Sequence, residues 1–193
     1  MTLGQLFFKY RSYTPIPFVI PLFLFARPTI LTMSIGMVFV LIGEIIRFWG
    51  VSYAGSETRT RNVGASNLVT QGPFAYTRNP LYLANIIIYF GFGIMANSLN
   101  PYLTIIGMIY FILQYHFIIN EEEKRLLELF KDKYETYKSS VNKIIPSFTK
   151  LAPEKQSKLK FDIKAGYLSE KRTLQANLTV VICIYIVYIL INQ

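Results

Sequence analysis

The sequence holds one cysteine, Cys183, and one histidine, His116, in 193 residues. A lone cysteine cannot close an internal disulfide, so cysteine usage says nothing about redox compartment. Without a Cys/His cluster there is no basis for a structural or catalytic metal, and none is expected. No G-x-G-x-x-G follows a predicted strand, so the soluble dinucleotide-binding fingerprint is missing. There is no internal repeat and no low-complexity segment. Acidic residues are scarce, 11 against 20 Lys and Arg, which leaves a net charge of +9. A basic chain can signal nucleic-acid binding. Here the cations lie between apolar blocks and follow a membrane topology, so no nucleic acid is expected as a partner. Lys9 and Arg11 precede an apolar stretch, as in a signal peptide, but no small-x-small cleavage site follows. The segment is read as part of the mature chain.

What the chain has in abundance is apolar sequence: 52% of it is hydrophobic, and in long blocks. That pattern indicates an integral membrane protein. The expected fold is all-α, a single multi-pass helical bundle over residues 1–193 with about five spans and a cytoplasmic cofactor pocket. Residues 14–49 hold two N-terminal spans. The first, 14–26, carries Pro15, Pro17 and Pro21 and is short, so it either borrows flanking residues to span or re-enters. The second, 29–49, is long enough to cross and carries Glu44 and Arg47 on one face. These two are expected to form an ion pair near the interface, with Arg47 snorkelling, and the alternative is that they line a polar pocket.

Residues 50–80 form a polar loop, with a short strand expected at 68–70 and a turn at Gly72-Pro73. Blocks 81–96 and 102–119 follow, joined by the tight turn Asn97-Ser98-Leu99-Asn100-Pro101, and so form an antiparallel hairpin. An amphipathic helix is expected over 121–138, where Leu126, Phe130, Tyr134 and Tyr137 recur at helical spacing. Residues 147–172 form a basic interfacial segment. Ser169 is expected to cap a last helix with Glu170 in its first turn, leading into a span at 173–191. Gly36, Gly43, Gly91 and Gly93 suit close helix contacts. With a cytoplasmic N-terminus, every Lys and Arg except Arg27 lies at or near the cytoplasmic side.

The chain is organised around residues 71–82. Arg78, Asn79 and Tyr82 stand where the third block enters the bilayer, and polar groups at that depth mark a site unless they are merely paired. The hairpin brings them beside Glu121, Glu122 and Glu123 at the end of the fourth block. A buried ion-pair network would explain part of this. Three consecutive carboxylates exceed what one arginine requires, which suggests a cationic ligand or several ligand donors nearby. His116 lies one turn before the glutamates. A structural or interfacial role comes first for it, with a place near the ligand as the alternative.

The run 68–74, then Arg78-Asn79-Pro80-Leu81-Tyr82, then Glu122-Glu123-Lys124-Arg125-Leu126 with Phe130, Tyr134, Tyr137, Val141 and Pro146, resembles the isoprenylcysteine carboxyl methyltransferase and phospholipid methyltransferase families. The resemblance covers about residues 66–146. It implies an integral membrane enzyme that binds S-adenosylmethionine (S-adenosyl-L-methionine) on the cytoplasmic side and methylates a lipidic or hydrophobic acceptor from the bilayer. It makes Arg78, Glu123 and Tyr82 the candidate catalytic residues. Candidate donor contacts are Arg78, Asn79, Tyr82, Glu122, Glu123 and Gly72, joined by His116. The family histidine is replaced by Asn79, which can still hydrogen-bond a donor. The glycine usual soon after the tyrosine is Ala84 or Asn85, read as a change in helix packing. Two alternatives remain: a reductase of the sterol type, with Arg59 and Arg61 meeting a nicotinamide-cofactor phosphate, and a non-catalytic membrane scaffold holding anionic lipid.

Overall fold

The computed structural model describes residues 2–55 and 67–192. The expected loop residues Arg59, Arg61, Asn62 and Gly64 lie outside them. Seven α-helices are described: α1 (Leu3–Tyr10), α2 (Ile16–Leu24), α3 (Ile30–Ala54), α4 (Pro80–Ala96), α5 (Tyr102–Phe130), α6 (Asp132–Ser140) and α7 (Ile163–Ile191). There is no strand among the described residues; residues 68–70 are irregular, and Thr70 is instead tied to Ser157 through its amide and hydroxyl. The protein is an all-α membrane bundle. Helices α3, α5 and α7 are each long and apolar enough to cross a bilayer, and α4 is a shorter apolar helix. Five spans were expected. The first of them is the nine-residue helix α2, about 13 Å long at 1.5 Å per residue, well short of a ~30 Å hydrocarbon core.

Helices α3 and α4 cross closely because their contact faces lack side chains. A Cβ on Gly36 would strike the Gly91 carbonyl and Met95, and one on Gly43 would strike Ile88 and the Ala84 carbonyl. Small residues of this kind let transmembrane backbones approach. The ridge of Val40, Ile88, Phe92 and Met95 then closes a buried core. Pro80 occupies the first position of α4, where its missing N–H costs nothing. Asn97 ends the helix in the left-handed conformation, with φ 48°. Antiparallel α5 returns beside α4.

Two elements differ from the sequence expectation. The amphipathic stretch 121–138 is not one helix. Its first half continues α5 without a break to Phe130, Lys131 adopts φ 45°, and α6 starts at Asp132. The fold at Lys131 lets Tyr134 and Tyr137 turn back and pack with Ala75, Val141 and Leu151. The last helix also begins earlier than expected. Asp162, not Ser169, is its N-cap, accepting from the Ala165 amide. Ser169 and Glu170 are buried within α7, so helix geometry aims Glu170 at the bundle instead of at an exposed first turn.

Candidate functional site

Residues 71–82 are built from a short 3-10 turn, Gly72–Ala75, followed by the entry into α4. Gly72 has φ +59° and sits against the Tyr53 ring, so a side chain there would meet both backbone strain and a clash. Residues 142–151 brace this turn. The Arg78 amide donates to the Asn142 carbonyl at 2.9 Å, the Ser147 amide to Tyr76 at 2.8 Å, and the Leu151 amide to Ala75 at 2.9 Å. Tyr137 donates its hydroxyl to the Phe74 carbonyl at 2.6 Å. The start of the segment read as basic and interfacial is thus also a structural support of the polar turn.

Arg78 and the glutamates meet as the hairpin requires. Arg78 donates from Nε and Nη2 to Glu123 Oε1 at 2.9 and 2.8 Å. Its Nη1 donates to the carbonyls of Lys138 and Val141. Lys143 Nζ lies 3.8 Å from the other Glu123 oxygen. The pair is nearly dry, with 8% and 9% of the side chains exposed. Burial first, and then Glu123, pushes the Tyr134 phenol above its usual value, so it stays a neutral hydroxyl. Asn79 donates to the Lys143 carbonyl at 3.0 Å.

Glu122 has a different setting. It accepts from the Tyr82 hydroxyl at 2.9 Å and lies 3.7 Å from Arg11 Nη1. Arg11 reaches it because α1 packs on α5, where Gly4 lies against the Phe117 backbone and the Glu121 side chain. His116 is exposed, with Asn120 as its hydrogen-bond partner at 3.1 Å. Arg78, Asn79, Tyr82 and Glu122 line a cavity of about 900 Å³; Glu123, His116 and Gly72 do not.

The cavity continues below this polar end, between α2, α4, α5 and α7. Phe18, Leu22, Phe92, Met108 and Phe111 give its deeper walls an apolar surface. Its size falls in the range of small-molecule sites, whose walls are mostly apolar with a few convergent polar groups. Part-way down lies a second polar cluster. Arg47 donates to Glu170 from Nε at 3.1 Å and from Nη2 at 2.9 and 3.0 Å, and from Nη1 to Asn85. Glu44 does not form the expected ion pair with Arg47; it accepts from Asn177 on α7. Burial on α3 at the α7 interface, not snorkelling at a membrane face, decides the partner. Asn85 is therefore a ligand of the arginine as well as a packing residue.

Sequence reasoning missed Arg11, Asn85 and Glu170 as cavity residues. Asn85 had a local signal, because it follows Tyr82 by one helical turn. Arg11 and Glu170 had none: each arrives through packing of a distant helix.

Residues 31–133 match the phospholipid methyltransferase family. The chain belongs to that family. It is also 31% identical over 103 residues to the cobalt-zinc-cadmium resistance protein CzcN of Cupriavidus metallidurans, a stretch that is 53% of this chain and 44% of the relative. It is 30% identical over 100 residues to the nickel-cobalt-cadmium resistance protein NccN of Alcaligenes xylosoxydans xylosoxydans, covering 52% of this chain and 43% of that one. The protein-S-isoprenylcysteine O-methyltransferase of Xenopus laevis is 30% identical over 119 residues, 58% of this chain and 40% of the relative. The matched part thus spans less than half the length of each of these relatives. No solved structure matches. Among the described residues no group of three or more His, Cys, Asp or Glu could hold a metal ion.

Proposed function

We propose that this family member is a membrane methyltransferase that takes its methyl group from S-adenosylmethionine and transfers it to a lipidic or hydrophobic acceptor. The observation that carries the reading is a single cavity with two characters. One end holds Arg11, Arg78, Asn79, Tyr82 and Glu122, and the rest is an apolar passage between membrane helices. A zwitterionic donor and an apolar acceptor need just such a pair of environments in contact.

The residues fit the donor's chemistry. Glu122 offers a carboxylate to the donor's amino or ribose groups, and Arg11 offers a cation to its carboxylate. The donor supplies an electrophilic methyl group. The chain's own part is to bind, align and exclude water, because transfer to an anion or free amine demands little acid–base chemistry. Arg78 lines the polar end, and Glu123 holds its guanidinium in place from behind. Tyr82 fixes the Glu122 carboxylate. The density of Lys and Arg around this end supports a cytoplasmic position for it.

Calorimetry of the detergent-purified chain with S-adenosylhomocysteine and with NADPH tests the proposal. Binding of the first and not the second is expected. Binding of NADPH alone would favour the reductase, whose proposed Arg59 and Arg61 contacts lie outside the described residues. Binding of neither would leave the scaffold reading. Incubating membrane lipid extracts with labelled donor and identifying the product would name the acceptor.

A further inference from the structure

Helix α7 has 29 residues, about 43 Å at 1.5 Å per residue, against a hydrocarbon core of ~30 Å. With the apolar stretch 173–191 in the core, the first turns of α7 stand at headgroup level. Residues 143–162 connect α6 to that point and so run across the same level. Their side chains divide in two. Ile144 and Leu151 pack inward. Phe148 is fully exposed, Ile145 is 75% exposed, and Phe161, Ile163, Tyr167 and Leu168 are exposed as well. Between and beside them stand Lys150, Lys155, Lys158, Lys160 and Lys164, all exposed. Among the described residues no acidic side chain forms an ion pair with any of these lysines; the nearby acids in sequence are Glu154 and Asp162, the latter spent as a helix cap.

Exposed aromatic and aliphatic side chains interleaved with unpaired lysines match a bilayer interface. The apolar groups enter the acyl boundary and each lysine is attracted to an anionic surface. We propose that residues 143–164 form a strap that binds anionic glycerophospholipid headgroups, and that this binding stiffens the polar turn at the cavity mouth. The strap itself holds the turn: the Lys143 carbonyl accepts from Asn79, the Ile144 carbonyl accepts from the Thr77 hydroxyl, and the Ser147 and Leu151 amides donate to the Tyr76 and Ala75 carbonyls, while Lys138, Val141 and Asn142, just before the strap, accept from Arg78. Lipid that immobilises the strap therefore immobilises Arg78 and Asn79. The coupling to donor binding rests on the methyltransferase reading; the lipid contact does not.

The test uses the full chain in nanodiscs of phosphatidylcholine, with and without phosphatidylglycerol. Hydrogen exchange at the Arg78, Ser147 and Leu151 amides is expected to slow in the anionic discs. The slowing is lost in the Lys150→Gln/Lys155→Gln/Lys158→Gln/Lys160→Gln variant and reduced in Phe148→Ser, both of which change exposed positions and keep the fold. S-adenosylhomocysteine is expected to bind about fivefold more tightly in the anionic discs, and equally in both for the quadruple variant. Equal exchange in the two discs overturns the strap as a lipid site. Slowing by soluble RNA or polyglutamate but not by phosphatidylglycerol overturns it in favour of a soluble polyanion. Slowed exchange with lipid-independent donor binding overturns the coupling alone. Donor binding absent from both discs overturns the methyltransferase reading while the exchange result still decides the strap.

Discussion

Two buried Arg–Glu pairs face the same cavity system, and they differ in what surrounds them. Arg78–Glu123 lies where the chain enters α4, shares Glu123 with Lys143, and directs its remaining donors to backbone carbonyls. Arg47–Glu170 lies between α3 and α7, inside the bundle, with Asn85 as the other hydrogen-bond acceptor of its guanidinium. The first pair organises a turn whose neighbours line the proposed donor end. The second ties a mostly lipid-facing helix to the rest of the protein. Burying an ion pair is not in itself stabilising; removing one partner is destabilising, because it strands the other charge. The cost of that loss depends on whether another counter-charge is at hand.

The largest effect is expected at the second pair. Glu170→Ala takes from buried Arg47 its hydrogen-bonded carboxylate and leaves only the more distant Glu44, Arg47→Ala strands buried Glu170, and each is expected to cost about 3–5 kcal/mol, read as a fall in the thermal midpoint in detergent. Arg47→Met with Glu170→Leu should recover most of it. A single variant with unchanged melting would show that the pair is not what holds α7.

At the first pair the loss is expected in function before stability: in Arg78→Ala Lys143 remains beside Glu123, and in Glu123→Ala the Arg78 guanidinium keeps the Lys138 and Val141 carbonyls. Arg78→Ala and Glu123→Ala should each weaken S-adenosylhomocysteine binding or turnover by more than about tenfold, ~1.4 kcal/mol, while expression persists. Wild-type activity in both would reduce the two pairs to the same structural role. Tyr82→Phe removes one hydrogen bond to Glu122 and should cost roughly 1 kcal/mol of binding, measured by the same calorimetry. An unchanged affinity would mean that Glu122 is held by Arg11 alone. His116→Ala should be the smallest change, within about twofold in turnover, as expected for an exposed surface group outside the cavity. Abolished turnover with intact donor binding would make it catalytic.

The contrast between the pairs also separates what could be read from the chain and what could not. Arg78 and Glu123 are 45 positions apart, but a short turn joins α4 and α5, so antiparallel packing alone brings them together. Arg47 and Glu170 are 123 positions apart, and nothing local relates them. The apolar run at 173–191 marked a last span. It did not show that the helix is capped at Asp162, and two turns of extra length change Glu170 from a first-turn residue into a buried ligand of Arg47. The same limit applies to Arg11, carried to Glu122 by α1, and to Lys143, placed by the strap.

By itself the sequence determined the all-α membrane character, the hairpin, and the meeting of Arg78 with the glutamates. These follow from hydropathy blocks and a tight turn, which act over neighbouring residues. Tertiary structure decided which groups line the cavity and which are spent holding it. Glu123, His116 and Gly72 fall outside its lining, whereas Arg11, Asn85, Arg47 and Glu170 fall within it. That division depends on how helices pack in three dimensions. The chain order states only which residues each helix carries.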